Sequence, residues 1–350
     1  MLWQDLLGHQ QQREWFSRAL ASGRLGTSFL FVGPAGIGKR TFARLLAKGL
    51  LCPRSDPQSL DFCGTCEDCV QVDALTHPDL LSVAKPEDKA TLPVELLIGD
   101  REHRMRAGLC HDISLRPYSG KRKVAIIDDA DYFSIEGANC LLKTLEEPPL
   151  DSLLILIGTS LQRQLPTIRS RCQAVRFQTL SDDDLQTLLL RLAVVDSPQR
   201  AAEVASQADG CLSEALLLLD PELHEFRSQL WHMLTQRQLP LVELAKRCGA
   251  IIDAAGKESR MKRERQKLIF RMAAVYFRQL ALLLSSQLAP PDAELQQALS
   301  HRVTRWPSGA RGATRAWNRC LQAAEQVDRN ANQAAVLEAW AADIARCGGC

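Results

Sequence analysis

The sequence predicts an α/β domain built on a parallel sheet, followed by a second half made of helices. Short continuous apolar runs, Ser28-Phe-Leu-Phe-Val32, Val124-Ala-Ile-Ile127, Leu153-Leu-Ile-Leu-Ile157 and Val175-Arg-Phe177, recur through the first half. Runs without polar alternation suit strands buried on both faces, as in parallel sheets. Longer helical patterns separate them, and parallel neighbours need such crossovers. After about residue 179 the strand signal stops. Helical periodicity continues from there, broken at Asp209-Gly210, Asp220-Pro221, Leu239-Pro240, Pro290-Pro291 and Trp306-Pro-Ser-Gly309. Ser181, ahead of three aspartates, predicts a helix N-cap.

At 350 residues the chain has room for about two or three domains of roughly 150 residues. A hydrophobic fraction of 46% with 24% charged residues excludes wholesale disorder. No uninterrupted apolar run approaches the roughly 18 residues of a membrane span, and Met1-Leu-Trp-Gln-Asp shows no basic-then-apolar leader. A soluble, cytoplasmic protein without a membrane partner is therefore expected. Forty-three Lys and Arg against 41 Asp and Glu leave +2, so no global field draws the chain to nucleic acid. Of two local basic stretches, Lys257–Arg271 is read first as a solvated helix face and second as a phosphate- or subunit-contacting surface, and Lys121-Arg-Lys123 as a candidate phosphate contact.

Gly33-Pro-Ala-Gly36-Ile-Gly38-Lys39 lies between the first strand and a helical stretch. In that setting the glycines let backbone N–H groups wrap a phosphate, the helix N-terminus adds its positive end, and Lys39 adds a point charge. The Mg²⁺-holding hydroxyl should come next. Arg40 stands there instead, and Thr41 comes one position late, turned about 100° around the helix. The expectation is a retained loop with impaired or absent ATP turnover. The strand at 124–127 ends in Asp128 and Asp129, the place for a Mg²⁺ ligand and a water-orienting Glu; Asp129 is one methylene too short for the latter.

Twelve cysteines in a non-secreted chain point to thiols and metal rather than disulfides. Cys52, Cys63, Cys66 and Cys69, spaced Cys-x10-Cys-x2-Cys-x2-Cys, have the number and spacing for a closed tetrahedral Zn²⁺ site with a structural role. The last three also resemble iron–sulfur ligation, but the Cys-Pro completing that run is missing.

Further along come Asn139–Pro149, with Leu141-Leu-Lys-Thr-Leu-Glu-Glu-Pro-Pro149, then Gly158-Thr159-Ser160 and Ser170-Arg171-Cys172. With the phosphate loop and the cysteines, in this order, they resemble the bacterial DNA polymerase III clamp-loader subunits, which are similar to AAA+ ATPases. Asp328-Arg-Asn330-Ala-Asn332 onward to Glu338 is similar to the last helix of that family's collar. The resemblance implies an AAA+-like phosphate-loop domain over 1–178 with a zinc module near 52–69, a helical lid over 179–221 and a helical collar for oligomerisation over 222–350. It implies a nucleotide site at Gly33, Gly36, Gly38, Lys39, Thr41, Asp128, Asp129 and Thr159. It also makes Arg171, with Ser170, an arginine finger for the neighbouring subunit. Cys172 reads as a packing residue. Arg40, Asp129 and Ser213, the last standing where motor subunits carry a lid arginine, resemble the delta prime stator more than the gamma/tau motor. That motor, an active ATPase, is the alternative. The implied partners are gamma/tau, delta, the sliding clamp and primer–template DNA in a hetero-oligomer, with Zn²⁺ as cofactor and ATP/Mg²⁺ binding impaired.

Overall fold

The computed structural model describes residues 2–56, 60–86, 89, 91–119, 121–256, 259–286, 293–303, 306, 308–329 and 331–348. Lys257, Pro290, Pro291, Pro307, Asn330 and Cys350 lie outside them. Two compact units result, Met1–Leu216 and Leu217–Cys350.

In the first unit, five strands among the described residues form one parallel sheet: β1 (Ser28–Val32), β2 (Leu80–Val83), β3 (Lys123–Ile127), β4 (Ser152–Gly158) and β5 (Gln173–Arg176), in the order β2-β3-β4-β1-β5. Continuous apolar runs are needed in β1, β3 and β4 because each of these strands feeds two cores. Phe29, Phe31, Val124, Ile126, Leu153 and Ile155 join Phe16, Phe42 and Leu46 on one face. Leu30, Val32, Ala125, Ile127, Leu154 and Leu156 join Ile98, Ala138, Leu141 and Ile168 on the other. This is the α/β domain on a parallel sheet that the sequence predicts. β2 was not expected, and it lies at the sheet edge with only Leu80 fully buried. β5 starts two residues earlier than its apolar part suggests, because pairing with β1 extends over polar Gln173.

The topology positions the site. Parallel strands bring the loop after β1, Asp128 after β3 and Thr159 after β4 to one edge, the carboxyl end, where ligands of such sheets bind. Beyond β5 the described residues are helical: Asp182–Arg191, capped by Ser181 as expected, Pro198–Gln207 and Leu212–Leu218.

Among the described residues the second unit's regular elements are all helices: Pro221–Thr235, Leu241–Ala254, Ser259–Ser286, Ala293–Val303, Gly309–Asp328 and Gln333–Cys347. Asp220 and Asn332 cap two of them. Ala313, Ala316, Cys320 and Ala323 share one buried stripe of Gly309–Asp328, and small side chains let this helix lie close to Ser259–Ser286. Phe270, Tyr276, Phe277 and Trp340 fill the space around them. By mean hydropathy, 1.4 in its most apolar window, Met261–Ser286 is long and apolar enough to cross a membrane. Half of that window is buried within the protein, which makes it a core helix here.

Candidate nucleotide loop, metal cluster and arginine turn

The loop after β1 depends on its glycines. A Cβ on Gly33 would come within 2.3 Å of the Phe177 carbonyl, because the chain beyond β5 runs alongside with Phe177 N–H donating to Val32 O at 2.8 Å. Gly36 (φ 74°) would meet Ser213 Oγ at 2.1 Å. Gly38 (φ 96°) caps the helix Lys39–Leu51 from the left-handed region. The segment that opens the Leu212–Leu218 helix thus lies over the loop, with Leu212 N–H donating to Gly36 O at 3.2 Å.

Lys39 is buried, and its Nζ donates to Gly33 O at 2.7 Å and Pro34 O at 2.5 Å. Burial lowers its ammonium below the usual lysine range, while Asp128 and Asp131 pull it back up. Arg40 Nε faces Asp128 Oδ2 at 3.5 Å. Asp128 Oδ1 accepts the Asp129 N–H at 3.0 Å, and Asp129 itself sits at φ 58°. Thr41 is half-buried one step further along the helix. Thr159 is turned towards protein: its N–H and Oγ1 donate to Asp131 Oδ2 at 2.8 and 2.5 Å, and Gln164 Nε2 donates to the other oxygen of Asp131.

His9 was missed by sequence reasoning. Its Nε2 meets Ile37 O at 2.6 Å and its ring packs edge-on to Phe177. Burial lowers its pKa and the Ile37 carbonyl raises it; the Lys39 charge adds to the lowering. Its position before a polar Gln-Gln-Gln run gave no local signal.

The four cysteines converge. Their Sγ atoms all lie within 4.8 Å of one another, with Cys52–Cys63 at 3.7 Å and Cys52–Cys66 at 3.8 Å. Four thiolates at the 2.3 Å Zn–S distance on a tetrahedron stand about 3.8 Å apart, so the set fits such an ion. The helix Lys39–Leu51 ends at Cys52, while Cys66 starts and Cys69 faces inward from Glu67–Ala74. The Thr65 and Cys66 N–H groups pull the Cys63 thiol down to about 6, and burial pushes Cys66 and Cys69 up. Lys48 pairs with Asp73 at 2.6 Å, and buried His77 meets Asp68 at 3.1 Å, tying the cluster's helix to its surroundings.

Arg171 follows the short helix Pro166–Arg169. Its Nε donates to Glu146 Oε1 at 2.8 Å, a terminal nitrogen reaches the same oxygen, and the other donates to Thr167 O and Ser170 Oγ at 3.1 Å each. The side chain is about one-third exposed. Arg171 precedes β5, while the phosphate loop follows β1, and the register Phe29↔Gln173 to Val32↔Arg176 puts Gly33 level with position 177. From Gln173 to position 177, four extended steps at about 3.3 Å make roughly 13 Å along the strands, and Arg171 sits in the turn that precedes them. Arg171 and its own loop therefore lie at opposite edges of the sheet. Cys172 is buried, which pushes its thiol up to about 12, the state of a packing group.

Of the basic stretches, Lys123 is buried 3.9 Å from Asp79 and Lys121 donates to Cys52 O at 2.9 Å, so neither is a free phosphate contact. In the second unit Lys262 pairs with Asp253, and Lys267 with Glu264 and Asp328. Cys347 packs against the helical core.

The sequence profile of the family described as DNA polymerase III, delta subunit, matches residues 8–181. Over 145 residues the chain is 40% identical to the DNA polymerase III subunit delta' of Pseudomonas aeruginosa, covering 41% of each. It is 30% identical over 223 residues to the delta' subunit of Bacillus subtilis, covering 63% of each. It is also 30% identical over 221 residues to the subunit tau of Escherichia coli, covering 62% of this chain and 32% of that one. The chain thus spans between a third and under two-thirds of these relatives' lengths. Through the matched segment, the chain is similar to clamp-loader subunits of DNA polymerase III, of both the delta' and the tau kind.

Proposed function

We propose that the chain is a delta prime-type stator of a DNA polymerase III clamp loader. It closes one end of the subunit arc, offers Arg171 to the triphosphate held by a neighbouring subunit, and helps to seat the ring-shaped sliding clamp on primed DNA. The observation that carries this reading is the placement of Arg171 at the amino edge of the sheet, with the length of β5 between it and its own loop, a position suited to serving another chain. A planar, permanently charged guanidinium completes charge neutralisation there only when the neighbour is correctly docked. Glu146 and Thr167 hold it meanwhile. Support for a loop that does not turn over ATP comes from Lys39 folded onto its own carbonyls, Thr159 committed to Asp131, and Ser213 packed on Gly36.

On this reading residues 1–178 are the phosphate-loop domain, 179–221 the lid and 222–350 the collar, and the partners are gamma/tau, delta, the clamp and primer–template DNA in the cytoplasm. Cys52, Cys63, Cys66 and Cys69 would hold structural Zn²⁺, which ties the 52–74 segment together. Protein purified with zinc should carry about one equivalent. Cys66→Ser should lose it and expose that segment to protease, whereas wild type without stoichiometric metal would overturn the assignment.

A gamma/tau-like motor is the second reading, favoured by the similarity to tau and by the retained Lys39. The deciding experiment reconstitutes the loader. Arg171→Ala should cut its DNA-stimulated ATPase by about 10³-fold, while the isolated wild-type chain should show no turnover. Turnover by the isolated chain that Lys39→Ala abolishes would establish the motor instead.

A further inference from the structure

We propose that Arg40 takes the place of the divalent cation in the phosphate loop, so that the loop holds a nucleoside phosphate without Mg²⁺. This rests on reading Gly33–Lys39 as a nucleotide loop and is independent of the role given to Arg171. Mg²⁺ requires near-octahedral oxygen ligands at about 2.0–2.1 Å. Phosphate-loop proteins supply them from the hydroxyl after the lysine and from the carboxylate at a strand end.

The residues present do not fit that ion. The position after Lys39 carries a guanidinium, and the next hydroxyl along the chain, on Thr41, is turned about 100° around the helix. One oxygen of Asp128 faces Arg40 Nε at 3.5 Å, and the other accepts the Asp129 N–H at 3.0 Å. Asp131 is taken up by Thr159 and Gln164. A guanidinium offers no acceptor to a metal ion, so Arg40 beside Asp128 repels a dication from that carboxylate.

The same residue suits the ligand that the metal would otherwise neutralise. Its side chain is half exposed and its contact with Asp128 is long, so the planar fork can turn to phosphate oxygens and pair with them in bidentate fashion. With Lys39 and the N-terminus of the Lys39–Leu51 helix, the loop has two fixed cations and a positive dipole end.

The test titrates the full-length protein with a fluorescent ADP analogue in Mg²⁺ and in EDTA, after circular dichroism shows that each variant is folded. Wild-type affinity should differ by less than about twofold between the buffers, and Arg40→Lys, which keeps the charge without the fork, should bind more weakly but stay as indifferent to Mg²⁺. Arg40→Ala, which frees Asp128 without restoring a hydroxyl, should gain a Mg²⁺ preference of about threefold, and Arg40→Ser one of about tenfold. Lys39→Ala should abolish binding. An Arg40→Ala variant as indifferent to Mg²⁺ as wild type would assign the effect to the missing hydroxyl alone and overturn the proposal. It would equally fall if wild type bound about tenfold tighter with Mg²⁺, if wild type bound in neither buffer, or if binding survived Lys39→Ala. None of these outcomes bears on whether Arg171 acts on a neighbour, so the two readings fail separately.

Discussion

The two edges of the parallel sheet treat their cations in opposite ways. At the carboxyl edge Lys39 is buried and bonded to carbonyls five and six residues away on its own loop. At the amino edge Arg171 stands partly in solvent, held by a half-exposed carboxylate on a different helix. Burial and short-range bonding make the first arrangement self-contained. An exposed ion pair is worth only about 0–1 kcal/mol, so the second can be exchanged for another anion at little cost. Glu146, in the last turn of Ile135–Glu146, also lies at the negative end of that helix, which gives Arg171 a weak local partner until something replaces it.

The largest effect should separate the edges outright. In a reconstituted loader Arg171→Ala should lower ATPase by about 10³-fold, and Lys39→Ala should change it by less than about twofold. A reversed ranking would break the comparison. Next, Gly36→Ala adds a Cβ in the left-handed region against Ser213. It should cost about 2–3 kcal/mol, read as a fall in melting temperature, which would show how tightly the carboxyl edge is sealed.

A smaller effect is pH-dependent. His9 has its pKa held below 6.5, with burial as the main cause. The folded form therefore binds fewer protons than the unfolded chain, and stability should decline as pH falls from 6.5 towards the lowered value. His9→Gln should flatten that decline in melting curves between pH 7.5 and 5.5. An unchanged slope would remove His9 from the account of the sealed edge. The smallest change is expected for Glu146→Gln, within about 1 kcal/mol of wild-type stability. A much larger loss would mean that Arg171 is a structural cation and not an exchangeable one.

Much of this was legible in the sequence where the signal is local. β1, β3 and β4 announce themselves because burial on both faces forces unbroken apolar runs. The phosphate loop and the cysteines are read from spacing alone. β2 was hidden because an edge strand of four residues needs little apolar surface. His9, Gln164 and Glu146 escaped because their roles come from contacts 25 to 33 residues away, such as His9 to Ile37 and Gln164 to Asp131. Lys123 shows the reverse failure. In sequence it belongs to a basic run, yet it is buried beside Asp79, whose carboxylate is held low by the Ser119 and Tyr118 N–H groups and Lys123 against the raising effect of burial.

A sheet whose strands all run one way has a direction, like an arrow. Molecules that join arrowhead to tail form heterologous series, in which each member uses both ends, and only a terminal member can leave one idle. On the proposed reading, a chain whose tail bears a releasable guanidinium would begin or finish such a row and not stand within it.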